Sequence, residues 1–168
     1  PEADDLFCAL VADCRARGIP VALDSYGDPL ARGLESRPDF LKPNREEYEK
    51  TFGTRLRGES DMVEAARRLV ALGARYSLIT DGAAPFAAAD ARGAWIVTPP
   101  RVEAVDPTGS GDSMIAGILY GLRKSWPFVD CLRFGAAAGA ANARVRQVAR
   151  APLADIMSLM GGVRANQA

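Results

Sequence analysis

Apolar residues recur along this chain at two alternating periods. Leu6, Phe7, Leu10, Val11 and Cys14 fall at helical spacing, which predicts a helix over residues 5–17 with Gly18 as its C-cap. The short apolar run 19–23 reads as a strand ending at Asp24, and Pro29 then opens a short helix in its favoured first turn. Residues 39–42 read as the next strand, broken at Pro43, and 44–52 as a helix closed by Gly53. A longer helix is predicted over 60–72, with Val63, Ala66, Leu69 and Val70 facing the core. Residues 75–80 form a strand before the Asp81-Gly82 turn, and 85–89 with 94–98 form a hairpin. The strand-like stretch 102–105 precedes helices at 113–124, 128–144 and 153–160.

Short strands alternating with helices indicate βαβ units, hence an α/β fold with a mainly parallel sheet covered on both faces. Ligands of such sheets sit beyond the carboxyl ends of the strands. The loops after Lys42, Thr80 and Val105 all leave strand carboxyl ends, so they are expected to gather at one edge.

Composition narrows the function. At 168 residues the chain reads as one domain, large enough to bury roughly 70% of its unfolded surface. Lys plus Arg (21) balance Asp plus Glu (21), leaving no electrostatic footprint for nucleic acid or an anionic membrane. The Ala-rich run after Phe134 is too short to span a bilayer. Three cysteines without metal-ligand spacing suit a reducing, cytoplasmic setting. With no histidine, any general base is a carboxylate, Lys, Tyr or Cys. A start at Pro1, almost directly into a helix, reads as the middle of a longer protein.

The chemistry concentrates in Asp106-Pro107-Thr108-Gly109-Ser110-Gly111-Asp112-Ser113, a small-residue loop opening onto an amphipathic helix. Such a loop points backbone N–H groups at one spot, where the helix dipole also favours negative charge. A phosphate in transfer fits there, with the Asp112 carboxylate beside it, and the combination reads as a phosphotransferase. Glycines that only turn the chain and an Asp that only caps the helix are the structural alternative. The tract is neither a P-loop nor a dinucleotide loop.

Two further segments join it. The Asp106–Ser113 tract resembles the C-terminal signature of the ribokinase-like (PfkB) carbohydrate kinases. Lys42-Pro43-Asn44-Arg45-Glu46-Glu47 resembles that family's Asn-x-x-Glu segment, and Leu78-Ile79-Thr80-Asp81-Gly82 its adenine-side strand and loop. The endings Gly-Asp-Ser-Met-Ile-Ala-Gly and Lys-Pro-Asn-Arg-Glu-Glu are most similar to the 1-phosphofructokinase and tagatose-6-phosphate kinase branch. The resemblance covers about residues 1–141. It implies a three-layer α/β/α fold and an ATP-dependent kinase for a sugar phosphate. In that reading Asp112 is the general base, and the N–H groups of Gly109, Ser110 and Gly111 form the anion hole. Asn44 and Glu47 would help hold Mg2+ through water, although the same spacing makes a helix capping box. Lys42 would reach a phosphate, or else snorkel at a strand end. Thr80 and Gly82 would line the nucleotide, or simply turn the chain. Ala136, Gly139 and Ala140 would face the adenine, or serve tight helix packing.

The match also has gaps. The resemblance implies an N-terminal half with the first sheet strands, most of the sugar pocket and a β-lid often used in homodimers, none of which this chain contains. Residues 1–168 therefore resemble the C-terminal, ATP-binding and catalytic portion alone. The tail Arg144–Arg150 also lacks the Gly that commonly follows the adenine-side helix. The alternative readings are a nucleotide-binding or regulatory remnant, or a purely structural α/β domain.

Overall fold

The computed structural model describes residues 3–168, with side chains from Leu6 onward. Pro1 and Glu2, where the resemblance begins, lie outside the described residues. The elements run α1 (Ala3–Ala16), β1 (Ala22–Leu23), α2 (Asp28–Glu35), β2 (Phe40–Leu41), α3 (Arg45–Phe52), α4 (Glu59–Ala71), β3 (Tyr76–Ile79), β4 (Phe86–Asp90) and β5 (Gly93–Thr98). They continue as α5 (Ser110–Arg123), α6 (Phe128–Ala143), α7 (Leu153–Met160) and β6 (Arg164–Gln167). The chain forms two compact units, residues 1–96 with 167–168, and residues 97–166.

The six-stranded sheet has the order β1-β2-β3-β4-β5-β6. Ala22 pairs with Phe40 and Phe40 with Tyr76 in parallel, whereas Tyr76 pairs with Asp90 antiparallel. The sheet is thus mixed, parallel across β1, β2 and β3 as the alternation of elements predicted and antiparallel from β3 to β4. The physical reason is the short link from β3 to β4, which permits only a hairpin; a parallel return needs a crossover.

In the first unit α4 packs on β3 and β4. Ala66 and Leu69 lie against Ile79, Ala87 and Ala89 in one core cluster, and Leu78, Phe86 and Ala88 are buried as well. Alternate residues point to opposite faces of a strand, so both faces of β3 and β4 are covered. Burying each large side chain contributes roughly 1.5–3 kcal/mol. The buried Ser77 hydroxyl is satisfied by donating to the Ala66 carbonyl at 2.7 Å.

In the second unit α5 packs along α6, and α6 against α7. The inner face of α6 is Gly and Ala, which lets the backbones approach closely. At the far end Tyr120, Trp126 and Phe134 close the α5–α6 link, Trp126 meeting Phe134 edge-on at 5.5 Å. Cys131 is buried beside them, and burial pushes its thiol up to about 11. Because the folded value is raised, any stability it contributes is lost as pH rises through that range. At pH 8 Cys131 is therefore expected to resist iodoacetamide in the folded chain and to react on denaturation. Mass spectrometry of the alkylated peptides checks this; labelling of the native thiol at the denatured rate would contradict the packing.

The strand expected at 102–105 is absent. Val105 is 54% exposed, and the N–H groups of Val105 and Asp106 donate to the Ala143 carbonyl at 2.7 and 3.1 Å. The end of α6 thus takes the bonds a sheet would have offered. Among the described residues no helix is long and apolar enough to cross a membrane.

Candidate functional site

In the second unit, the loop before α5 is shaped by local bonds. Asp106 Oδ1 accepts from the Thr108 N–H at 2.9 Å, and hydrogen bonding from the Thr108 side chain first, and its N–H second, holds the Asp106 carboxyl below the usual range. Gly109 caps α5 at φ 79, a left-handed conformation suited to glycine. A Cβ there would lie 2.8 Å from both the Ala149 nitrogen and Val148 Cγ1, so the tail segment closes directly over it. Ala149 is itself left-handed at φ 55.

Of the three N–H groups expected to form an anion hole, those of Gly109, Ser110 and Gly111, one is already engaged within the loop. The Ser110 N–H donates to the Pro107 carbonyl at 3.0 Å. Among the described residues, the N–H groups of Gly109, Gly111 and Asp112 have no acceptor. These are the orphan donors of a helix N-terminus, where partial positive charge collects. Asp112 is not the cap, because it sits inside the first turn of α5. Its side chain is exposed and has no hydrogen bond or ion pair among the described residues. It borders a cavity of about 520 Å³ walled by apolar residues including Ala116, Tyr120, Phe134, Leu153 and Ile156.

Asn142, which sequence reasoning missed, holds this loop. It is 0% exposed; its Nδ2 donates to the Thr108 carbonyl at 2.8 Å and to Ser110 Oγ at 3.1 Å. Its Oδ1 accepts from the Arg150 N–H at 3.0 Å. One side chain therefore ties the loop to the tail segment. Asparagine in an otherwise Ala/Gly helix was the available signal. Ala136, Gly139 and Ala140 are buried in the packing of α6, and a Cβ on Gly139 would come 3.0 Å from the Ser110 carbonyl.

In the first unit, the loops after β2 and β3 meet. Asn44 forms a parallel bridge with Thr80, and the Arg45 N–H donates to the Thr80 carbonyl at 2.8 Å. Asn44 and Glu47 make a complete capping box. Asn44 Oδ1 accepts from the Glu47 N–H at 2.9 Å, and Glu47 Oε2 accepts from the Asn44 N–H at 2.7 Å. Glu47 Oε1 and a second lone pair on Asn44 Oδ1 remain. Lys42 does not snorkel. It is 5% exposed, and its Nζ pairs with Asp24 Oδ2 at 3.4 Å, just beyond β1. Gly82 turns the chain at φ 57 with open space on its Cβ side.

Arg45 is a second residue that the sequence did not single out. Its guanidinium bonds Asp81 at 3.0 Å, Glu49 at 3.4 Å and the Leu56 carbonyl. The bond to Asp81 leads in raising its pKa above the usual arginine value. Arg45 thereby fixes the Asp81-Gly82 turn to α3. Among the described residues, no group of three or more His, Cys, Asp or Glu converges as a metal cluster.

A mixed α/β sheet with a glycine loop opening a helix defines a ribokinase-like domain. The chain belongs to the pfkB family of carbohydrate kinases, whose family model matches residues 3–154. It is 39% identical over 102 residues to 1-phosphofructokinase of Escherichia coli (strain K12), which covers 61% of this chain and 33% of that protein. The 1-phosphofructokinase of Bacillus subtilis (strain 168) is 30% identical over 142 residues, 83% of this chain and 46% of the relative. The solved structure of phosphofructokinase-2 from Escherichia coli in complex with potassium has the same fold, with a TM-score of 0.87 at 24% identity. That likeness covers 94% of this chain and 52% of the other. The chain thus spans between a third and about half of the length of these proteins.

Proposed function

We propose that this chain is the C-terminal, ATP-binding and catalytic portion of a sugar-phosphate kinase of the 1-phosphofructokinase or tagatose-6-phosphate kinase type. The observation that carries the reading is the pairing of unsatisfied N–H groups at the start of α5 with the free Asp112 carboxylate in the same turn. The N–H groups of Gly109, Gly111 and Asp112 stabilise charge on the migrating phosphoryl. Asp112 accepts the proton of the acceptor hydroxyl as its oxygen bonds to the γ-phosphorus. The bond from that phosphorus to the bridging oxygen breaks, and ADP leaves. Ser110 serves through its packing in the loop, since its own N–H is already bonded.

The side chains of Asn44 and Glu47 offer oxygen donors at a half-buried helix start, which fits magnesium, a hard cation that keeps much of its water. When bound, magnesium neutralises phosphate charge. Thr80 and Gly82 line the nucleotide, and Lys42, held by Asp24, supplies positive potential to the phosphates. Ala136 and Gly139 act on the adenine side by keeping α6 slim. The longer protein is cytoplasmic and takes ATP and a sugar phosphate, with a homodimer as its assembly.

The short span relative to the relatives favours one second reading, a module that binds nucleotide without turnover. Transfer of the ATP γ-phosphate, with magnesium, to fructose 1-phosphate, fructose 6-phosphate and tagatose 6-phosphate separates the two. The assay uses this chain alone and a longer chain carrying the segment by which the relatives exceed it. The kinase reading expects transfer by the longer chain. ATP binding with no transfer by either chain favours the second reading, and absence of ATP binding overturns both.

A further inference from the structure

In the first unit, three arginines line a cavity at the end of the sheet opposite the Asn44 and Thr80 loops. The cavity holds about 610 Å³ and is lined by Arg15, Arg37, Asp39, Gly73 and Arg75. Arg15 comes from the last turn of α1, Arg37 from the link between α2 and β2, and Arg75 from the start of β3. Residues 37–39 and 73–75 precede their strands, so this is the amino end of β2 and β3. The Asn44 and Thr80 loops leave the opposite, carboxyl end of the same strands.

The arginines are held in place without being neutralised. The Arg15 guanidinium donates to the Arg37 carbonyl at 3.0 Å. Arg37 has φ 57, a left-handed conformation that non-glycine residues adopt rarely. Its stem crosses Gly73 (φ 129), where a Cβ would lie 2.8 Å from Arg37 Cγ; only glycine leaves that path open. The Arg75 N–H donates to the Pro38 carbonyl at 3.2 Å, and its guanidinium lies 5.2 Å over the Tyr76 ring. The one acidic residue lining the cavity, Asp39, accepts the Val21 N–H through Oδ2 at 3.0 Å. Among the described residues, no ion pair engages Arg15, Arg37 or Arg75.

We infer that this cavity is a binding site for a small phosphorylated anion, at the strand end opposite the Asn44 and Thr80 loops. Guanidinium forks match phosphate oxygens in pairs, and three arginines lining one concavity, with no ion pair among the described residues, favour an anion there. The volume lies within the range of small-molecule sites. The inference does not rest on the kinase reading.

The test is an NMR titration of this chain with pyrophosphate, following the backbone amides of Arg37, Gly73 and Arg75. These signals are expected to shift together and saturate. Arg37→Ala and Arg75→Ala should each weaken the titration by about ten-fold, corresponding to 1.4 kcal/mol. Arg17→Ala, an exposed arginine paired with Asp13, serves as the charge control and should leave it unchanged. Arg75 is exposed, so its variant tests the site even where Arg37→Ala disturbs the left-handed turn. Shifts that stay linear with pyrophosphate, or that weaken equally in all three variants, would overturn the site.

Discussion

On the proposed kinase reading, Asp112→Asn is expected to lower phosphoryl transfer by about 10²–10⁴ in a chain extended by the segment by which the relatives exceed this one, the usual worth of a positioned general base. That is roughly 3–5 kcal/mol of barrier. Asparagine has nearly the same shape and cannot take the hydroxyl proton. The orphan N–H groups of Gly109 and Gly111 belong to the backbone and are untouched, so ATP affinity should stay within a few-fold of the parent. Stability should also hold, because Asp112 has no hydrogen-bond or ion-pair partner among the described residues to lose. The check is kcat beside ATP affinity by calorimetry. Near-normal turnover would remove Asp112 from the role of base, and a parallel loss of ATP binding would make it a binding residue instead.

Asn142→Ala carries the largest expected effect on stability. The substitution removes the buried Asn142 amide from the Thr108 carbonyl, the Ser110 hydroxyl and the Arg150 N–H, all part-buried bonds. Leaving a buried polar group unpaired costs about 1–3 kcal/mol. Water entering the vacated space offsets part of this, so a net loss of roughly 2–4 kcal/mol is expected. Urea unfolding measures it. Asn142→Asp should also destabilise, since a carboxylate oxygen would then face the Thr108 carbonyl. Asn142→Ala should further raise the KM for ATP more than it lowers kcat, because the loop loses its tether to the tail while Asp112 remains. A stability change below about 0.5 kcal/mol, the range of ordinary surface substitutions, would show that the tether is not needed.

Much of the fold was legible along the chain because local chemistry sets the element ends. Gly53 closes α3 in the left-handed conformation that its position after Phe52 implied, and Pro29 lies in the first turn of α2. The helix over Leu153–Met160 matches residue for residue. The candidate loop was legible for the same reason, since small residues before an amphipathic helix leave few backbone options. The strand at 102–105 was misread because its residues suit a sheet, while the deciding partner, the Ala143 carbonyl, lies some forty residues later. β6 went unpredicted because Arg164-Ala165-Asn166-Gln167 has no apolar alternation.

The sequence by itself determined the family, most of the order of helices and strands, and the glycine loop with Asp112 beside it. These rest on spacing and on backbone preferences that act within a few residues. Only the tertiary structure decided that Ser110 has already spent its N–H, that Lys42 is paired with Asp24, and that Asn142 clasps loop to tail. It also brought Arg15, Arg37 and Arg75 to one cavity. Hydrogen bonds and charge pairs are short-ranged, so the partner of each group depends on which distant segments the packed core places beside it.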